Sequence, residues 1–157
     1  MKKAQTLIER LERISFPFLL GMKLKSKDGK LLSIYNQRFN ENNSIQFLIT
    51  KEKRSQQPID ILALLDYAVQ GILTLAFLHK RKIAHGEISV GNIYVDDDVL
   101  KIGPVDITTN LPFVDVKDES EINIMFSQDI YNFGVVLYSL AELKEFTEIE
   151  FVRLPNG

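Results

Sequence analysis

Leu7, Ile8, Leu11 and Ile14 recur among Glu9, Arg10, Glu12 and Arg13, the spacing of a short amphipathic helix. Phe16-Pro17 closes it, because proline steers the residue before it out of helical backbone. Two apolar runs, Leu19 to Leu24 and Leu31 to Tyr35, flank Ser26-Lys27-Asp28-Gly29-Lys30, and Asp-Gly between such runs predicts a β-hairpin. Asn40 to Asn43 reads as a polar loop and Ile45 to Lys51 as a short helix. The strongest pattern lies between Ile59 and Lys80. Ile61, Leu64, Leu65, Ala68, Ile72, Leu75, Ala76 and His79 fall at helical spacings and the other faces are also apolar, which predicts a long helix buried nearly all round. A loop from Ile83 to Asn92 leads to two short strands, Ile93–Val95 and Val99–Ile102, around Asp96-Asp97-Asp98. Asn110 to Gln128 reads as mostly loop. Ile130 to Leu143 reads as a second apolar helix, with Asp129 near its N-terminus, where a carboxylate caps free backbone N–H groups.

Composition narrows the classes. The 157 residues amount to one domain, with 45% hydrophobic and 25% charged residues. A net charge of −2 makes nucleic acid and anionic membranes unexpected partners. Lys51-Glu52-Lys53-Arg54 and Lys80-Arg81-Lys82 are too short for a basic patch and read as solvated helix ends. The absence of cysteine excludes disulfides, thiolate zinc sites and a cysteine nucleophile. Met1 to Gln5 runs into a charged stretch without an apolar signal-peptide core, and no apolar run looks long enough to cross a bilayer. The expected location is the cytoplasm. Asn42-Asn43-Ser44 fits a glycosylation sequon but reads as a polar turn.

Three segments, in order, carry a resemblance. Ala76-Phe77-Leu78-His79 followed by Ile83 to Ile93, with His85-Gly86-Glu87 and Asn92, is similar to the catalytic loop H-R-D-L-x-x-x-N of eukaryotic-type protein kinases. Val99-Leu100-Lys101-Ile102-Gly103 is similar to the strand before D-F-G, and Ser127 to Tyr138 to the S-D-V-x-S-F-G helix of the large lobe. The resemblance implies an α+β, truncated protein kinase-like fold. Residues 1–39 would be a remnant of the small lobe and hinge, and 40–157 part of the large lobe. The first three strands, with their glycine-rich loop and lysine, have no counterpart, and neither do the last helices of the large lobe. His85-Gly86-Glu87 with Lys101 to Val105 also resembles the WNK-related nuclear-receptor-binding-protein pseudokinases.

Phosphoryl transfer depends on positioned charges, and the resemblance implies that most are replaced. Glu87 stands at the catalytic aspartate, and its extra methylene displaces the base by about 1 Å, worth on the order of a hundredfold in rate. Gly86 replaces the preceding arginine and Ser89 the lysine after the base. Asn92 fits the metal-binding asparagine. The D-F-G positions read Pro104, Val105 and Asp106, so proline replaces the main Mg²⁺-binding carboxylate and Asp106 would serve only after a slip of the loop. Leu7 falls where the small-lobe helix should carry its ion-pairing glutamate. Pro104 to Lys117, where A-P-E would end, is short for the family. Tyr35 falls at the gatekeeper position, with Asn36, Gln37 and Arg38 along the hinge. His85 and Asp129 match residues that hold the loop rather than react.

Blander readings accompany these. His85 reads first as a packed core histidine, Asn92 as the cap of its own turn, and Asp96-Asp97-Asp98 as a solvated hairpin turn without the glycine and distal glutamate of a calcium loop. The expected function is a pseudokinase-like binding or scaffold module with a protein partner and no cofactor. The alternatives are a weakly active protein kinase using ATP, Mg²⁺, Glu87 and Asn92, or a small-molecule phosphotransferase of the aminoglycoside or choline kinase type. That second group carries H-G-D, a later asparagine and a metal-binding aspartate, to which His85-Gly86-Glu87, Asn92 and Asp106 roughly correspond.

Overall fold

The structure, a computed structural model, describes residues 2–27, 30–35, 41–55, 58–106, 110 and 120–146. Helix α1 (Lys2–Glu12) is followed by strands β1 (Met22–Lys27) and β2 (Lys30–Tyr35). A 3-10 turn, Glu41–Asn43, leads into α2 (Ile45–Ser55) and α3 (Ile61–His79). Strands β3 (Ile93–Asp96) and β4 (Val99–Ile102) precede α4 (Ser120–Ala141). Each strand pair forms its own two-stranded antiparallel sheet.

The α1 helix buries Leu7 and Leu11 and ends before the proline, where the Ile14 N–H turns back to the Leu11 carbonyl at 3.1 Å. The hairpin forms, but its first strand begins later than the apolar run suggests. Met22 pairs with Tyr35 and Lys27 with Lys30, while Asp28 and Gly29 lie outside the described residues. Residues 18–20 instead run beside β4. The Ile102 N–H reaches the Phe18 carbonyl at 2.8 Å and the Leu20 N–H reaches the Ile102 carbonyl at 2.9 Å. Leu19 and Leu20 thus belong to the joint between the two halves, not to the hairpin.

Ser44 starts α2. Its hydroxyl accepts the Phe47 N–H at 3.2 Å, which satisfies one of the donors left free at a helix start. The helix runs to Ser55, a turn beyond the expected end. Between β3 and β4, Asp97 (φ 48°) and Asp98 (φ 61°) both adopt left-handed backbone, as a two-residue hairpin turn requires. All three aspartates of this turn are exposed, and Asp96 accepts a hydrogen bond from Asn43 at 3.0 Å.

One core gathers Ile45 and Ile49 of α2, Leu75 of α3, Ile93, Leu100 and Ile102 of the small sheet, and Phe133, Val136 and Leu140 of α4. A second joins Leu7 and Leu11 to Leu78, Ile83 and Val105. The α3 and α4 helices approach closely because Gly71 faces Phe133, whose ring occupies the space a Cβ would take.

The structure departs from three further expectations. The α3 helix is not buried all round. Tyr67, Gly71, Thr74, Leu75 and Leu78 are buried, but Leu62, Leu65, Val69, Ile72 and Leu73 are 49–66% exposed, because no described element covers that side. The same helix is long and apolar enough to cross a membrane by length and composition, its 19 residues containing an 18-residue stretch of mean hydropathy 1.9. Asp66 and Gln70 interrupt the apolar run in the sequence but not the helix; a core helix meets the same measure. Finally, α4 begins at Ser120, ahead of Ile130, so Asp129 lies within the helix and does not cap it.

Candidate functional site

The loop after α3 is held by side chains rather than by a sheet ladder. Asp129 projects from α4 and is 2% exposed. Its Oδ2 accepts the His85 N–H at 2.7 Å and the His79 Nε2–H at 2.8 Å, and its Oδ1 accepts the Gly86 N–H at 2.9 Å. His79 ends α3 and stacks on Phe126 of α4 with ring centres 4.2 Å apart. One carboxylate therefore ties together the end of α3, the loop and α4.

His85 is fully buried. Its Nδ1 accepts the Glu87 N–H at 3.2 Å, so Nε2 carries the proton and donates to the Gly103 carbonyl at 2.9 Å. Both bonds exist together only in the neutral ring. Burial pushes His85 below the ordinary imidazole value, against the opposing pull of the Gly103 carbonyl and the Asp129 and Asp106 carboxylates. A depressed folded-state value means that the unfolded chain binds the extra proton. This contribution to stability is complete above about pH 6.5 and is lost as the pH falls toward the folded value, at up to about 1.4 kcal/mol per pH unit. Melting midpoints are expected to hold between about pH 8 and 7 and to fall below about 6.5. A midpoint that rose on acidification through this window would contradict a neutral, buried His85.

The segment after β4 lies against this loop. The Gly103 N–H donates to the Asn92 carbonyl at 2.8 Å and the Asp106 N–H to the His85 carbonyl at 2.8 Å. Gly103 is obligatory in another sense, because the Asn92 side chain fills the position of a Cβ. Asn110 completes the joint. Its Oδ1 accepts the Ala84 N–H at 2.9 Å, and its Nδ2 donates to the carbonyls of Ala84 at 2.7 Å and Asp106 at 2.8 Å.

The residues singled out from the sequence fall as follows. Glu87 is exposed at the loop surface. The Asn92 Nδ2 donates to the Glu87 carbonyl at 2.9 Å, so this amide braces the turn between them. Asp106 is half-buried beside His85 with its backbone bonded on both sides. Tyr35 ends β2, paired with Met22; Asn36, Gln37, Arg38 and Lys117 lie outside the described residues. Sequence reasoning missed Asn110, which sits in a stretch without periodicity, and the bond that His79 makes to Asp129. It also missed Gln70, whose Oε1 accepts the Leu100 N–H at 2.7 Å and ties β4 to α3.

No protein-family model matches the chain. A probable serine/threonine-protein kinase of Clostridium acetobutylicum is 33% identical over 99 residues, covering 53% of this chain and 15% of that protein. The PAN3 pseudokinase of Neurospora crassa, in its complex with PAN2, superposes over 97% of this chain and 39% of that one, with a TM-score of 0.77 and 15% identity. Rad53 in complex with AMP-PNP superposes over 96% of this chain and 41% of that one, with a TM-score of 0.69 and 14% identity. The chain carries an α+β, truncated protein kinase-like fold, spanning about two fifths of these solved structures and 15% of the curated kinase.

Proposed function

We propose that the chain is a pseudokinase-like module that binds a protein partner and transfers no phosphate. The observation that carries this reading is the tether after β4. The resemblance puts Pro104 at the position of the metal-binding carboxylate, and the hydrogen bonds that join Gly103 to Asn92 and His85, and Asp106 to His85 and Asn110, oppose the slip that would bring Asp106 there. The residues present therefore fit Mg-ATP poorly, and the loop's interactions are those of a scaffold. Residues 1–39 form the small-lobe remnant in this reading and 40–157 the partial large lobe, with the cytoplasm as the working location. The solved complex of PAN3 with PAN2 supports a protein partner for a chain of this fold.

Thermal melts with ATP, with and without Mg²⁺, test the reading. The expected outcome is no shift. A nucleotide bound at a hundredfold excess over its Kd would stabilise the folded state by about 2.7 kcal/mol. A Mg-dependent shift of that size that Asp106→Ala abolishes would overturn the reading, in favour of phosphotransfer to a small molecule or a protein through Glu87, Asn92 and Asp106.

A further inference from the structure

The α2 helix ends in Lys53 and Arg54, which the sequence alone assigns to a solvated helix end. The fold adds a third cation from a distant part of the chain. Lys144, just beyond α4, lines one open cleft of ≈ 460 Å³ together with Lys53 and Arg54, and Ile49 and Leu143 supply apolar lining. Lys53, Arg54 and Lys144 are all exposed. Among the described residues, the one carboxylate lining the cleft, Glu145, is engaged by the Gln46 amide at 3.3 Å. The Lys144 ammonium lies 4.6 Å from the centre of the Phe146 ring, which holds this charge beside the cleft.

Helix ends offer a simpler reason for these cations, since a helix C-terminus carries about half a negative charge. The magnitudes do not balance. Among the described residues, the ends of α2 and α4 together supply about one negative charge, and Glu145 one more, against three cations. A positive remainder sits in a concave, partly apolar cleft on a chain of net charge −2.

We infer that this cleft docks a glutamate- and aspartate-rich peptide segment of a protein partner, with carboxylates over Lys53, Arg54 and Lys144 and an apolar side chain against Ile49 and Leu143. This names the partner chemistry of the binding module proposed above and rests on that reading. Its failure is separable, because phosphate transfer by the chain would overturn the module reading and leave peptide binding at this cleft unaffected.

The experiment is fluorescence polarisation of the full chain with a fluorescein-labelled glutamate-rich peptide and a counterpart carrying glutamine at every glutamate. The acidic peptide is expected to bind at least about tenfold more tightly, because exposed charge pairs add modestly but cumulatively, and added salt should weaken it. The triple variant Lys53→Glu, Arg54→Glu, Lys144→Glu should lose at least about tenfold in affinity with an unchanged melt. Should the triple variant fail to melt cooperatively, Lys144→Gln decides by the same comparison, since it neutralises one exposed cation. Equal binding of the two peptides, undiminished binding by the variant, no binding of the acidic peptide, or capture of phosphatidylserine vesicles in its place would each overturn the proposal.

Discussion

Replacing Asp129 by alanine is expected to destabilise the chain by about 4 kcal/mol and to lower its melting midpoint by about 12 °C. The carboxylate accepts three hydrogen bonds, from His79 Nε2 at 2.8 Å, the His85 N–H at 2.7 Å and the Gly86 N–H at 2.9 Å. Alanine removes all three acceptors and leaves at least the His85 amide buried without a partner, which costs the desolvation of that donor as well as the lost bond. Asp129→Asn keeps one acceptor oxygen and should fall between wild type and alanine. Denaturant melts of the three proteins provide the comparison. A loss below about 1 kcal/mol for alanine would mean that the loop is held by other groups.

The second large effect concerns the contact between α3 and α4. Phe133, 2% exposed, lies with its ring over Gly71. Gly71→Ala places a methyl group inside that ring position and should cost about 3 kcal/mol as the helices separate. Phe133→Ala should cost about 4 kcal/mol through the cavity it leaves. The two changes conflict with the same packing, so together they should cost about 2 kcal/mol less than their sum, the new methyl group sitting where the ring was. Strict additivity in the double variant would show that glycine at this position serves something other than the approach of Phe133.

The order of elements was readable from the sequence because apolar periodicity is local. The spacing through α1 and the Asp-Gly and Asp-Asp-Asp turns marked helices and hairpins at nearly their observed places. The errors came where distant residues decide. Leu19 and Leu20 are apolar enough for a strand, but their bonds go to Ile102 rather than along the hairpin. Asp129 looked like a helix cap because polar residues stand before it, yet the helix starts at Ser120 and the carboxylate serves a loop more than forty residues earlier. The resemblance placed His85 and Asp129 among the loop's supports, whereas it matched Asn92 to a metal-binding asparagine, and only the plainer reading of Asn92 as the cap of its own turn pointed to the bond it makes to Glu87. Asn110 carried no signal, since a side-chain amide that stands in for a backbone pairing partner needs no periodicity.

The open side of α3 also bears on how the chain responds to temperature. Leu62, Leu65, Val69, Ile72 and Leu73 are already 49–66% exposed to water in the folded state, so unfolding newly hydrates only the remaining part of their surface. The heat-capacity increment of unfolding follows the apolar area freshly exposed. For this chain it should lie below the average for its length. The stability curve is correspondingly flatter, and the folded state loses less on cooling than a domain whose central helix is enclosed on every side.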